Sequence, residues 1–178
     1  MIRLFTGISV PQNIRNALNI MQGGIGGAHW DDIENYHITL SFIGDIDEST
    51  AEEVDSLLAS ISLPAFDITL NGIGTFAAGD KLTHLWVGLE PSKELMFLKH
   101  RIDALLQHNH IPFDNRKYTP HVCLARLKGA NEEQVVQFIQ DHNLFKSHSF
   151  KVENFNLYQS YRGKNGTHYQ PEATYDLL

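Results

Sequence analysis

Two short stretches carry the residue types that acid–base chemistry needs: Tyr36-His37-Ile38-Thr39-Leu40 and Pro120-His121-Val122-Cys123-Leu124. Each sets a histidine and a small hydrogen-bonding side chain two positions apart. An unperturbed imidazole titrates near pH 6.5, so two of them can hold opposite protonation states around neutrality. One then takes a proton while the other gives one. In a β-strand, residues i and i+2 point to the same side. His37 and Thr39 therefore share one face, with Ile38 and Leu40 entering the core behind them. His121 and Cys123 repeat the arrangement over Val122 and Leu124. A chain that builds this unit twice can aim two imidazoles at one substrate. The other eight of its ten histidines, His29 and His84 among them, lack this matched setting and read as surface or core residues.

These motifs must be held by strands, and the surrounding sequence supplies them. Ile2–Val10 reads as a strand, and Pro11 opens a helix to about Met21. Gly23-Gly24-Ile25-Gly26-Gly27 lacks the Lys-Ser/Thr ending of a phosphate loop and reads as a linker. Tyr36–Ile43 is the first motif strand. Ser49-Thr50-Ala51-Glu52 has capping-box spacing and starts a helix to about Ile61, before a strand at Ala65–Leu70. Further along come a strand at Leu82–Leu89, a helix from Ser92 to about His108, and the second motif strand, Tyr118–Leu127. A helix at Glu132–His142 and strands near Ser149–Tyr158 and Thr167–Leu178 close the chain.

The histidines stand 84 residues apart, and the same shift places each early element near a later one of its own type. The expected fold is α+β, with two β-α-β-α-β lobes related by a pseudo-twofold and mainly antiparallel sheets flanking a central cleft. All 178 residues form one bilobal domain: lobe one about 1–75, lobe two about 82–160, and a closing strand about 166–178.

Composition narrows the partners. The net charge of −7 argues against a basic surface that coats long nucleic acid. Its distribution is uneven. Residues 1–60 hold two basic side chains against nine acidic ones, whereas residues 99–128 hold six basic against two acidic. That basic stretch brackets the second histidine motif and is read either as a solvated surface or as a phosphate-facing one. No apolar run approaches the roughly 18 residues of a membrane span, and the N-terminal MIRLFTGISV has no signal-peptide pattern. A single cysteine, Cys123, leaves no intrachain disulfide and fits a reducing cytosol. The expectation is a cytoplasmic monomer without membrane contact.

With these flanks in view, the pair His37-Ile-Thr-Leu and His121-Val-Cys-Leu resembles the duplicated His-x-Thr/Ser-x signature of the 2H phosphoesterase superfamily. Tyr36-His-Ile-Thr-Leu-Ser-Phe-Ile-Gly44 and Thr119-Pro-His-Val-Cys-Leu-Ala-Arg126 are similar to the RNA 2′,3′-cyclic phosphodiesterases, once described as 2′-5′ RNA ligases. The opening strand, Leu85-Trp86-Val87-Gly88 and Tyr158-Gln-Ser160 extend the likeness over nearly the whole chain. The resemblance implies hydrolysis of a 2′,3′-cyclic phosphate at an RNA or nucleotide end to a 2′-phosphate, with reversible 2′-5′ ligation as a companion activity. It implies no cofactor and no metal. His121 becomes the base for water and His37 the acid to the leaving 3′ oxygen, although the near-symmetric motif does not itself orient them. Thr39 and Cys123 become hydrogen-bond donors to the non-bridging oxygens, and Arg126 a substrate contact.

Two departures matter. Cys123 stands where the family has Thr or Ser, and a thiol is a weaker donor than a hydroxyl. A nucleophilic Cys123 lacks the loop of a tyrosine phosphatase around it. Arg126 and Phe42 each lie five residues beyond a histidine, so strict alternation turns them to the opposite face. Arg126 reaches a phosphate only if its strand ends, bulges or twists first. The competing classes are a module that binds a nucleotide or RNA end without turnover, and a metal hydrolase built on His37, His121 and a carboxylate. No His-Glu-x-x-His or Cys/His cluster favours the latter.

Overall fold

The alternation at the two histidine motifs is realised as two central strands of one antiparallel sheet in a computed structural model, which describes residues 1–178. In chain order the strands are β1 (Ile2–Ser9), β2 (His29–Trp30), β3 (His37–Ile46), β4 (Phe66–Ile68), β5 (Leu70–Ala78), β6 (Lys81–Leu89), β7 (His121–Arg126), β8 (Phe150–Val152), β9 (Asn154–Gly163) and β10 (Gly166–Asp176). The helices are α1 (Gln12–Met21), α2 (Glu48–Ala59), α3 (Lys93–His108) and α4 (Glu132–His142). The sheet runs β10-β9-β1-β3-β7-β6-β5, with β2 added on β7, while β4 and β8 pair separately.

This order reads as a twofold about the β3–β7 seam. β1 and β6 flank the seam, and β9 and β5 lie outside them. The outer strands are exchanged: β5, from the first half of the chain, pairs with β6, and β9, from the second half, pairs with β1. Each half of the sheet is therefore built from both halves of the chain. β4 and β8 do keep the 84-residue shift, as do β5 and β9 at their first residues. The counterpart of β1 is β6, which begins at Lys81, five residues earlier than that shift places it.

Helical spacing explains how one face of the sheet is covered. Ile14 and Leu18 of α1, Val54 and Leu58 of α2, Leu95, Leu98, Ile102 and Leu106 of α3, and Val135 and Phe138 of α4 recur at three- and four-residue intervals. They join Ile38, Leu40, Val122 and Leu124 in a single core. The histidines point away from it, to the other face. Two helix starts differ from expectation. Helix α2 begins at Glu48 because the Asp47 carboxylate accepts the Thr50 N–H at 2.7 Å, which makes Asp47 rather than Ser49 the cap. Pro11 is the residue before α1 rather than its first turn.

β5 is the longest element that sequence reading missed, the two-residue β2 being another. Asn71-Gly72-Ile73-Gly74 has turn composition, yet it runs along β6 with Gly74 opposite Trp86. The Trp86 indole lies on Gly74, where any Cβ would collide with the ring. That close approach is why a glycine stands in mid-strand.

Candidate active site

β3 and β7 pair at Ile38 and Val122 and then part, which opens a cleft on the face away from the helices. In that register His37 faces Cys123 and Thr39 faces His121, so the two histidines are diagonal neighbours. Diagonal positions of an antiparallel pair stand about 7–8 Å apart, the width of a phosphate group with a hydrogen bond on each side. His37, Thr39, His121, Cys123 and Arg126 all line one cavity of about 910 Å³.

The strand must break its alternation for Arg126 to be there, and it does. Trp86 pairs with Cys123 while its neighbour Leu85 pairs with Ala125, so Leu124 is an extra residue in β7. β3 carries the same bulge. Gly7 pairs with Thr39 and Thr6 with Ser41, which leaves Leu40 as the extra residue. Leu40 and Ser41 are both buried, as are Leu124 and Ala125. Beyond each bulge the parity resets, and Phe42 and Arg126 emerge on the histidine face as cavity lining.

Backbone carbonyls fix both imidazoles. His37 Nδ1–H donates to the Asn35 carbonyl at 2.7 Å, and His121 Nδ1–H donates to the Thr119 carbonyl at 2.6 Å. A carbonyl can only accept, so each neutral ring carries its lone pair on Nε2, the nitrogen left for the cleft. His37 Nε2 accepts from the Thr39 hydroxyl at 2.9 Å. His121 Nε2 has no protein partner. The repeat is thus symmetric in how the rings are anchored and asymmetric in what their outer nitrogens meet.

The wall around each ring differs too. His37 is edge-on to Tyr169 at 5.0 Å, with Phe5 at 4.9 Å and Tyr158 at 6.0 Å. Gly7 permits this: a Cβ there would stand 2.9 Å from the Ile38 carbonyl and 3.3 Å from the Tyr158 ring. His121 is edge-on to Phe76 at 4.9 Å and tilted against Trp86 at 5.8 Å. Burial pushes His37 down to about 4, outweighing the Asn35 carbonyl, with small further contributions from His121 and Arg15. Burial also lowers His121, against the Thr119 carbonyl, which favours the cation. Both rings are neutral at pH 7 before a ligand arrives.

Cys123 is a partly buried thiol between the Ala125 carbonyl, at 3.8 Å from Sγ, and the carboxylate of Asp31. Burial and that carboxylate raise its pKa far above the ordinary range. A thiol held so firmly protonated is a donor and a poor nucleophile. Tyr118 closes the floor by donating from its hydroxyl to the Thr39 carbonyl at 2.7 Å, across the β3–β7 seam.

The basic stretch divides between buried, rim and cleft positions. Lys99 is buried in an ion pair with Asp103 at 2.7 Å, and both bond to Ser41. Arg116 is exposed on the rim and grips Asp114 at 2.6 Å. Lys117 and Arg126 also line the cleft, whereas Lys128 lies outside it. Sequence reading missed Asp31, Tyr169 and Phe76, and it set His84 aside although His84 lines the cavity. Asp31 and Tyr169 come from a two-residue strand's end and from the last hairpin, where no local pattern announces a site.

Against this geometry, a family model described as LigT like phosphoesterase matches the chain twice, over residues 8–86 and again over 87–169. An RNA 2′,3′-cyclic phosphodiesterase of Aeropyrum pernix is 34% identical over 139 residues, covering 77% of this chain and 79% of that one. The protein of the same description from Methanocaldococcus jannaschii is 28% identical over 172 residues, 95% of this chain and 97% of that one. The crystal structure of Escherichia coli LigT complexed with 3′-AMP shares the fold at a TM-score of 0.82 and 23% identity, covering 99% of this chain and 98% of that one. That of TT0787 from Thermus thermophilus does so at 0.81 and 20%, covering 98% and 97%. Two matches of one model, one per histidine motif, restate the internal duplication, and the chain belongs to the LigT-like phosphoesterase family.

Proposed function

We propose that this protein hydrolyses 2′,3′-cyclic phosphates at RNA or nucleotide ends to 2′-phosphates, by paired-histidine catalysis that needs no metal ion. The observation that carries the reading is the matched anchoring of His37 and His121. Each ring is tautomerically fixed by the carbonyl two residues before it and turned toward one cleft. Relatives described as RNA 2′,3′-cyclic phosphodiesterases support the choice of substrate.

His121 Nε2 takes a proton from water as the water oxygen bonds to phosphorus. The P–O3′ bond breaks, and His37 Nε2–H delivers its proton to O3′. A 2′-phosphate remains, and the proton balance between the rings is restored through solvent. His37 must be protonated first, and the incoming phosphate anion supplies the opposite charge that raises it. Once His37 Nε2 carries a proton it no longer accepts from Thr39. The freed hydroxyl then turns to a non-bridging oxygen, joined by the Cys123 thiol and the Arg126 guanidinium. A 5′-hydroxyl in place of water gives a 2′-5′ linkage by the same steps.

Incubation of the protein with a 2′,3′-cyclic nucleotide tests the reading. Turnover is expected; saturable binding without product would make the cleft a binding module instead. Cys123→Thr is expected to keep or raise turnover, because a hydroxyl is the better donor. Thr39→Ala is expected to cost roughly 10²–10³-fold, more than Cys123→Ala, as a lost transition-state donor does. If Cys123→Thr and Cys123→Ser both abolish turnover, the thiol has a role of its own. The rim charge gives a further expectation. Lys117→Ala combined with Lys128→Ala should raise KM for an oligonucleotide ending in a cyclic phosphate more than KM for a cyclic mononucleotide. Equal effects on both would leave the basic stretch of residues 99–128 as a solvated surface rather than a phosphate-facing one.

A further inference from the structure

An unneutralised carboxylate in a phosphate cleft calls for an explanation. Asp31 follows β2 directly. Its backbone N–H donates to the Leu124 carbonyl at 2.8 Å, and its own carbonyl accepts from the Gln22 amide at 2.8 Å. The backbone is held from both sides, and the side chain lines the cavity beside the Cys123 thiol, with Arg126 and His84 in electrostatic reach. The cavity has one other carboxylate, Asp114, which Arg116 neutralises at 2.6 Å. None of the chain's five ion pairs includes Asp31. Arg126 is near enough to be felt but makes no ion pair with it.

Such a group cannot add affinity for any anion. What it changes is which anion is held. A cyclic phosphodiester carries one negative charge. The opened monoester carries about 1.5 to 2 at neutral pH, since its second ionisation lies near pH 6. Repulsion from a fixed carboxylate grows with the charge of the ligand, so it falls hardest on the product. Specificity by a repulsive element needs no contact with the favoured ligand.

We propose that Asp31 is a charge-discriminating residue, which sets the cleft to hold singly charged phosphodiesters and to reject phosphomonoesters, including the product. The proposal rests on the hydrolytic reading above. It makes the cleft poor at retaining 2′-phosphates, and it refuses RNA ends that already bear an open terminal phosphate. Attraction by the Arg126 guanidinium still draws in either anion, and Asp31 selects between them.

The test measures binding alone, on full-length protein carrying His121→Ala to prevent turnover. Calorimetry at about pH 8, where the monoester is doubly charged, gives Kd for a nucleoside 2′,3′-cyclic phosphate and for the same nucleoside's 2′-monophosphate. Adding Asp31→Asn is expected to tighten the monophosphate about tenfold and the cyclic phosphate by no more than about threefold. Asp31→Ser, which removes the same charge with a smaller side chain, should give the same split. Asp31→Glu should keep the parent ratio. Equal tightening of both ligands, or none for the monophosphate, would overturn the proposal. These affinities stand whether or not the unmodified protein turns over the cyclic nucleotide, so a failure of the hydrolytic reading shows up separately.

Discussion

Replacing His121 or His37 by alanine is expected to lower kcat for a 2′,3′-cyclic nucleotide by roughly 10²–10⁴-fold, the usual contribution of a general acid or base. The two losses should not add. With one imidazole gone, proton delivery and removal no longer cooperate, and the double variant should sit within about tenfold of the worse single one. Neither ring supports the core: both lie on the face opposite Ile38, Leu40, Val122 and Leu124, so the variants are expected to fold. The rings differ in their surroundings. His37 is boxed by Phe5, Tyr158 and Tyr169, so His37→Ala leaves a cavity among aromatic rings. His37→Gln is the fairer measure of the lost acid. Additive losses, or activity within about tenfold of wild type in either single variant, would dissociate the pair.

The second large effect is on pH dependence. The reaction needs His121 neutral and His37 protonated. In the free protein His37 is held down to about 4 by burial, and burial lowers His121 as well. Both shifts favour neutral imidazole, which suits the base and opposes the acid. Because kcat/KM reports the free enzyme, its bell should have both limbs below pH 6.5 and should fall as pH rises through neutrality. Bound phosphate places a negative charge beside both rings and raises them. The alkaline limb of kcat should therefore stand at higher pH than that of kcat/KM. A flat profile with chemistry limiting, or an alkaline limb at the same pH in both parameters, would contradict this electrostatic account.

Much of this was legible from the chain because a period of two is hard to mistake. His37 with Thr39 and His121 with Cys123 fall on one face whatever the rest of the sheet does, and Ile38 and Val122 bind the two strands at the seam. The helices were legible from their spacing. Arg126 was not, since strict alternation sends it to the wrong side. The bulges at Leu40 and Leu124 reverse that parity, and a bulge leaves little trace when the extra residue is an ordinary leucine. β5 was hidden because glycine in Gly72 and Gly74 reads as a turn, although Gly74 is there to seat Trp86. Asp31 and Tyr169 were invisible for a different reason. They reach the cleft through long-range pairing, Asp31 by way of β2 on β7 and Tyr169 by way of β10 on β9.

The strand exchange also bears on mechanism. Phe76, which meets His121, belongs to β5, and Tyr158, beside His37, belongs to β9. Each imidazole is thus backed by an aromatic ring from the other half of the chain. Separating the two halves would strip each ring of part of its wall, leaving Phe5 beside His37 and Trp86 beside His121, and would part the two rings from each other. That arrangement ties the integrity of the site to the whole sheet.

The central claim, that two imidazoles open a cyclic phosphodiester by expelling its 3′ oxygen, is tested most directly by product analysis. The protein is incubated with a nucleoside 2′,3′-cyclic phosphate and a strong chelator, and the phosphomonoester formed is identified by its position. The account predicts the 2′-phosphate at an undiminished rate. Accumulation of the 3′-phosphate, or activity lost on chelation and restored by one metal ion, would contradict it.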